Sequence, residues 1–517
     1  MVTFSDLKHF FKEQNFNLLI LADGEPFVSR VTKGGVVTSM PAGGVAVGLD
    51  PIVRATNAVY IGRAKDESER AALDKDGKML IGDADGNYHL RRLFFTEQEV
   101  GEYYLGFSNQ TLWPLCHVAF EEPQFEKTWF DGYKKVNAEF ARAAKQEISR
   151  FTKDSGDKKT VVWIHDYQLS LVPSLLRNGS KPGPNDPLIG MFWHIPWPTW
   201  EIFRILPQKK EILMSLLSCD FLAFHRAYQA RNFLQTVERE LQVRIDHEKQ
   251  QVHFRDHVTT VKSLPLGIDT DKVRTLVRKE EEDTPLGRRI REVLGLQEEK
   301  PHPLDWYFEN YTVVFGIDRL DYTKGILQRL RALDCFFEKY PKYRGKVVYL
   351  GITAPSREKI PAYKHLKQQA KKLTTEVNSK YANKVWKPLH MIHTSFAHEE
   401  VLNLYRKADL CLVTPLDDGM NLVSKEFVIA SSLSSDPGML VLSQFAGSAT
   451  DLSSSLIVNP YDIEEVADAI KEGIEMKKQE RIDRIKHMTE LLDENNGFQW
   501  GMQFLRETIV AGRKVES

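Results

Sequence analysis

Short apolar runs alternate with longer amphipathic stretches along the chain. Asn17–Ala22 (NLLILA), Thr160–Ile164 (TVVWI), Leu188–Trp193 (LIGMFW), Phe221–Phe224 and Val258–Ser263 are bounded by polar residues or by Gly and Pro. Runs of that length, rich in aliphatic and aromatic residues, predict buried strands. Between them Phe130–Ser149, Glu201–Leu217 and Ala227–Leu241 have helical spacing and length. A second series follows: Thr312–Gly316, Lys346–Gly351, Leu389–Ile392, Leu410–Val413, Met439–Leu442 and Leu456–Val458, with a helix expected from Gly325–Ile326 to about Lys339. Buried strands alternating with helices predict parallel sheets covered on both faces. The expected fold class is α/β: two doubly wound, Rossmann-like domains facing a central cleft. Ligands of such sheets bind beyond the carboxyl ends of the strands.

Leu264–Asp269 (LPLGID) carries Pro and Gly after a strand and reads as a domain end. The expected division is residues 1–266, residues 267–480, and a helical tail, residues 481–517, returning to the first domain. The 517-residue length agrees with two or three domains.

Composition narrows the function. Lys plus Arg number 70 and Asp plus Glu 71, a formal charge of −1. So balanced a chain has no global field for nucleic acid or an anionic membrane. No signal-like or membrane-spanning apolar run is visible. The four cysteines, Cys116, Cys219, Cys335 and Cys411, form no CxxC pair, so neither a disulfide scaffold nor a zinc site is expected and a cytoplasmic location fits.

The chemistry sits after the expected strands. In GIDRLDYTKG (Gly316–Gly325), Arg319 and Lys324 lie on a loop leading into a helix whose N–H groups favour anions. The loop suits a diphosphate; it equally suits a surface salt-bridge loop in which Asp318 and Asp321 pair with the two cations. In TPLDDGMNLVSKE (Thr414–Glu426), Asp418 precedes a Gly-containing turn and a helix start at Leu422–Val423. Those first N–H groups can meet phosphate, and Glu426 can hold ribose hydroxyls. Asp418 as a simple helix N-cap is the other reading.

WIHDYQL (Trp163–Leu169) and FWHIPWP (Phe192–Pro198) each place a His at a strand end, beside Asp166 in the first case. No third ligand stands at metal spacing, so no metal site is expected. In Glu102–His117 the aromatic cluster of Tyr103, Tyr104, Phe107 and Trp113 reads as core packing. The Gly pair in PAGGVAVGLD (Pro41–Asp50) lacks the spacing of a P-loop or dinucleotide fingerprint.

Taken together, WIHDYQL, FWHIPWPTWEIFRILP, LPLGID, DRLDYTKG, APSR, DGMNLVSKE and LSQFAGSATDL resemble, in order, the motifs of the trehalose-6-phosphate synthase family of retaining GT-B glycosyltransferases. The resemblance spans roughly residues 40 to 510 and implies a nucleotide-sugar site in the second domain and a sugar-phosphate site in the first. It implies that Arg319 and Lys324 hold the donor diphosphate. Asp418 would hold the transferred glucose, with the backbone of Gly419, Met420 and Asn421 beside it. Leu422 and Val423 would meet phosphate, Glu426 the ribose, and Gly44 would approach the donor. His194 and Asp166 would line the reacting centre. Tyr104, Trp113 and Arg357 would surround the acceptor phosphate, with Asp166 on acceptor hydroxyls. The implied reaction takes UDP-glucose and glucose-6-phosphate to trehalose-6-phosphate and UDP, with no cofactor and no metal; the oligomeric state stays open.

The departures lie on the acceptor side. The family's first strand ends in Ser-Asn-Arg, whose Arg grips the acceptor phosphate; here it ends in Ala22-Asp23-Gly24. Arg30 is the substitute nearest in sequence. The family's Trp-rich segment reads here VYIGRAKD (Val59–Asp66), and Asp417 replaces a common Arg. Another phosphorylated acceptor, such as glycerol-3-phosphate, and a catalytically silent sugar-phosphate-binding regulator are the alternatives.

Overall fold

The computed structural model describes residues 1–32, 35–39, 45–82, 86–155, 158–178, 183, 186–277, 285–294 and 303–513. The chain divides into two compact units, Met1–Gly267 with Gly497–Ser517, and Ile268–Asn496.

In the first unit the strands are β1 (Asn17–Leu21), β2 (Val28–Thr32), β3 (Gly35–Ser39), β4 (Val59–Arg63), β5 (Lys78–Gly82), β6 (Asn87–Leu93), β7 (Thr160–His165), β8 (Leu188–Phe192), β9 (Phe221–Phe224), β10 (Arg244–Asp246), β11 (Gln251–Phe254) and β12 (His257–Ser263). All but the β2–β3 hairpin form one sheet in the order β10-β11-β12-β9-β8-β7-β1-β4-β6-β5. From β12 to β6 neighbouring strands are parallel. β10, β11 and β5 are added antiparallel at the two edges. Every residue of β7, β8 and β9 is buried, as expected of strands covered on both faces.

The second unit holds β13 (Thr312–Arg319), β14 (Val347–Ala354), β15 (Leu389–Ile392), β16 (Leu410–Val413), β17 (Met439–Ser443) and β18 (Leu456–Val458). They form a parallel sheet in the order β15-β14-β13-β16-β17-β18. One continuous apolar core joins this sheet to its helices, among them Ile326–Lys339, Leu422–Ser431 and Ile463–Glu475.

Three details differ from the pattern reading. The stretch Glu201–Leu217 is two helices, Trp200–Phe203 and Lys209–Leu216, because Pro207 cannot continue a helix. The C-terminal stretch is also two helices, and only the second joins the first unit: Lys478–Glu494 packs in the second unit, Gly497–Arg513 in the first. There Phe504 stacks on Trp163 of β7 with centroids 4.3 Å apart. A side chain at Gly190 of β8 would collide with Phe504 and Thr508, so this strand has to be bare where the helix crosses it. Finally, β5, β6, β10 and β11, at and next to the two edges of the sheet, have no continuous apolar run, since each keeps part of its length in water.

Candidate functional site

In the second unit two loops leave neighbouring parallel strands, β13 and β16, and are fastened to each other. The Leu416 N–H donates to the Thr323 carbonyl at 2.7 Å. Gly325 has φ +63°, and a Cβ there would run into the Thr414 carbonyl, so only glycine satisfies both backbone angle and approach. Lys324 Nζ donates to Asp418 Oδ2 at 2.6 Å, both side chains being 12% exposed. Asn421 Nδ2 donates to the same oxygen at 3.1 Å.

The structure decides one of the alternative readings of these loops, the helix cap. The cap of the helix Leu422–Ser431 is Asn421, whose side chain accepts from the Ser424 N–H, so Asp418 is not the cap. Asp318 pairs with Arg329 at 2.7 Å, and Arg329 Nε also donates to Thr414 Oγ1 at 3.0 Å. Burial pushes the Asp318 carboxyl up despite that arginine. Asp321 is fully buried, accepts from the Thr323 N–H and takes Arg357 Nη1 at 3.2 Å. Burial opposes its charge, but Arg357, Arg319 and Lys324 together hold it below the usual carboxylate range. Arg319 ends β13 and is exposed. Cations, then, are gathered where two helices begin, at Ile326 and Leu422. The first N–H groups of a helix have no acceptor within it, and such an arrangement accommodates a diphosphate.

Gly419 and Met420 lie in the turn between Asp418 and Asn421. Gly447 packs so closely under Gly419 that a Cβ would strike its carbonyl. Leu422 and Val423 open the helix, and Glu426 lies one turn on. Glu426 Oε1 bonds His398 Nε2 at 2.9 Å. Burial alone would lower the His398 pKa, yet the Glu426 carboxylate outweighs it and raises it. Asp417 lies close enough to Tyr461 to raise its phenol, after burial. Arg357 follows β14 at φ +48°, with Nη1 also 2.6 Å from the Tyr363 hydroxyl. Its anchor is therefore the Asp321 loop, a partnership its place in APSR did not suggest.

In the first unit Asp166 and His194 follow β7 and β8. Asp166 Oδ1 accepts from the N–H groups of Tyr167 and His194, each at 3.0 Å. Its φ of 71° and ψ of 168° fall in a region nearly reserved for glycine, a strain of about 1–3 kcal/mol. His194 does not stand alone. His165 Nδ1 lies 3.0 Å from His194 Nε2, and His194 Nδ1 lies 3.3 Å from His225 Nε2. The outer nitrogen of His165, Nε2, is buried with no partner. Burial lowers the His194 pKa to about 3 and drives His165 well below its ordinary value, the neighbouring ring adding to the latter. Both rings are neutral.

Tyr104 and Trp113 lie along a π-helical stretch, Gly101–Leu112, and at the start of the helix Trp113–Cys116. With i→i+5 bonding, about 4.4 residues make a turn. Nine residues are then two turns, putting Tyr104 and Trp113 on one side, whereas α-helical winding would oppose them. Trp113 packs on His117 at 4.0 Å and on Tyr167 at 5.9 Å. Tyr104 covers Arg63, its ring centroid 4.8 Å from the guanidinium carbon. Arg63 in turn grips Asp23, Nε to Oδ1 at 2.7 Å and Nη2 to Oδ2 at 2.9 Å. Arg30 sits on β2. Gly44 lies outside the described residues.

Sequence reading missed His225, Arg329 and His398, and met Arg63 only as a charge within VYIGRAKD. It named His165, Asp23 and Asp321 without their present partners, His194, Arg63 and Arg357. Among the described residues, no group of three or more His, Cys, Asp or Glu is placed to hold a metal ion, and no helix is long and apolar enough to cross a membrane. No disulfide joins the four cysteines.

Two doubly wound α/β units, one carrying two loops fastened to each other at the ends of neighbouring strands, and a close match to solved relatives define a glycosyltransferase of the GT-B class. The sequence model of glycosyltransferase family 20 matches residues 27–509, and the chain belongs to that family. It is 32% identical over 491 residues to the UDP-forming alpha,alpha-trehalose-phosphate synthase of Botryotinia fuckeliana, covering 95% of this chain and 88% of that one. An E. coli structure solved with UDP-2-fluoro glucose bound superposes with a TM-score of 0.79 at 30% identity, over 95% of this chain and 98% of the other. The UDP-forming synthase of Burkholderia xenovorans in complex with glucose-6-phosphate gives 0.78 at 29% identity, over 95% and 100%.

Proposed function

We propose that this chain is a retaining glucosyltransferase that moves glucose from UDP-glucose to glucose-6-phosphate, giving trehalose-6-phosphate and UDP. The observation that carries the reading is the Lys324–Asp418 clamp between two helix-opening loops, with Arg319 at the strand end before them. A UDP-forming relative and a related structure holding glucose-6-phosphate support this donor and acceptor.

Arg319, Lys324 and the N–H groups of Leu422 and Val423 receive the diphosphate. Asp418, with the turn Gly419–Asn421, receives the glucosyl hydroxyls. Glu426, oriented by His398, takes the ribose. Tyr104, Trp113, Asp166 and Arg357 receive the acceptor. The bond from the anomeric carbon to the diphosphate oxygen breaks while the acceptor hydroxyl adds on the same face; its proton passes to the departing phosphate. The cations stabilise charge as it develops on that leaving group. No protein base is needed, which agrees with a His194 ring held at both nitrogens and kept neutral by burial. Four cysteines without a disulfide suit a reducing cytoplasm.

The test is an acceptor panel of glucose-6-phosphate, glucose, glycerol-3-phosphate and glycerol, with UDP-glucose and GDP-glucose, scored by product mass and UDP release. The expected product is trehalose-6-phosphate from UDP-glucose. Equal turnover of glucose and its phosphate would refute the acceptor assignment, and no UDP release with any acceptor would make the chain a silent binding protein. Gly24 favours one second reading, a different phosphorylated acceptor, identified by turnover with glycerol-3-phosphate alone.

A further inference from the structure

β1 and β4 run side by side in parallel, with Leu21 opposite Ile61. Their carboxyl ends therefore emerge together. β1 has β4 on one side and β7 on the other, so the crevice where ligands bind in such sheets opens here. Two residues beyond that register Asp23 and Arg63 meet. The Arg63 N–H donates to the Asp23 carbonyl at 3.2 Å, and the two side chains form a bidentate pair.

This pair leaves the guanidinium half used. A guanidinium has five N–H donors, and Asp23 takes one from Nε and one from Nη2. Nη1 has no hydrogen bond to a described residue. One edge of the plane is fastened by a carboxylate and one face is covered by Tyr104. Such a group is oriented in advance, with its side-chain entropy already lost, which suits recognition of a planar or tetrahedral oxyanion. The side chain is 14% exposed.

The space beside it is open. A Cβ built on Gly24 meets nothing within 4 Å. That gap is not a displaced loop, because the Tyr60 hydroxyl pins the Gly24 carbonyl at 2.6 Å. A position where a long cation would fit is thus empty, and a cation from the adjacent strand is held next to it.

Resting on the glucosyltransferase reading above, we infer that Arg63 is the residue of the first unit that binds the phosphate monoester of the acceptor, through its Nη1 edge, with Tyr104 as the wall of that subsite. Asp23 is its positioning residue. Arg30 has no part in this assignment.

Calorimetric binding of glucose-6-phosphate and of glycerol-3-phosphate to the full chain, without donor, tests it apart from catalysis. Arg63→Gln should weaken binding of the preferred phosphate about 10–100-fold, the scale of one charge-assisted contact. It should leave UDP binding within about twofold. Because that change strands a buried carboxylate, Asp23→Asn/Arg63→Gln is measured beside it, with its melting temperature as the check on folding. Gly24→Arg in the double variant should restore most of the lost affinity. Unchanged phosphate binding in a folded double variant would make the pair merely structural and overturn the assignment. So would failure of both phosphates to bind the unaltered chain. Failure of the glucosyltransferase reading appears elsewhere, as phosphate binding that depends on Arg63 without any release of UDP.

Discussion

The carboxyl edges of the two sheets solve different problems. In the second unit charge is assembled from contiguous segments: DRLDYTKG and DDGMNLVSKE each deliver a cation or carboxylate, a glycine and a helix start within a dozen residues. In the first unit the groups come from across the sheet. Asp23, Arg63, Tyr104, Asp166, His194 and His225 come from different strands, strand ends and helices, and burial keeps His194 neutral. One edge gathers its charges within two loops, the other fixes one cation, Arg63, among groups drawn from several strands. The first kind is readable as motifs; the second exists only once strands are adjacent.

The largest effect expected breaks the charged edge. Arg319→Ala or Lys324→Ala should lower kcat by about 100-fold or more, the scale of one lost transition-state charge contact, with circular dichroism unchanged. Near-normal turnover in both would remove the leaving-group role.

The neutral edge should be broken by acid. An unfolded histidine titrates near 6.5, whereas His194 in the fold titrates at about 3. Between those values the unfolded chain binds the extra proton. The stabilisation from keeping the ring neutral is therefore complete above pH 6.5 and is lost as pH falls toward 3. The loss is about 1.4 kcal/mol per pH unit for each such ring. Hydrogen exchange across urea, read on peptides covering Thr160–His165, should show the first unit weakening between pH 6.5 and 5. His194→Asn should flatten that slope; a slope unaltered by the change would contradict the account.

Gly325→Ala tests whether the second unit's geometry depends on its backbone. The positive φ and the Thr414 carbonyl should cost about 1–3 kcal/mol. Donor KM should rise as the two loops part. A melting temperature and donor KM equal to the unaltered chain's would refute the close approach.

Arg357→Ala sharpens the comparison, since sequence resemblance puts this residue with the acceptor and the structure fastens it to Asp321. The donor KM should rise about 3–10-fold alongside the acceptor KM, as expected for one charged hydrogen bond. A rise confined to the acceptor would show that the Asp321 bond does not hold the donor loop. The smallest effect belongs to chelation: with Arg319 and Lys324 supplying the positive charge, activity should survive excess EDTA, and loss restored by magnesium or manganese would contradict that.

Sequence alone determined the α/β alternation, because fully covered strands must be nearly continuous apolar runs, as in β7, β8, β9 and β16. It also determined the loops carrying Arg319, Lys324, Asp418 and Glu426, because their chemistry lies within single strand-to-helix turns. It did not reveal β5, β6, β10 and β11, at and next to the sheet edges, whose solvated faces interrupt the pattern. Nor did it reveal the break that separates Lys478–Glu494 from Gly497–Arg513. Only the tertiary structure decided that Lys324 bonds Asp418 rather than a nearby aspartate, and that Asn421 rather than Asp418 caps its helix. Only it put His194 between two histidines, and Arg63 beside Asp23, 40 residues earlier in the chain. The reason is geometric: parallel neighbours are joined by long crossovers, so residues that meet at a sheet edge leave no spacing in the sequence by which to find them.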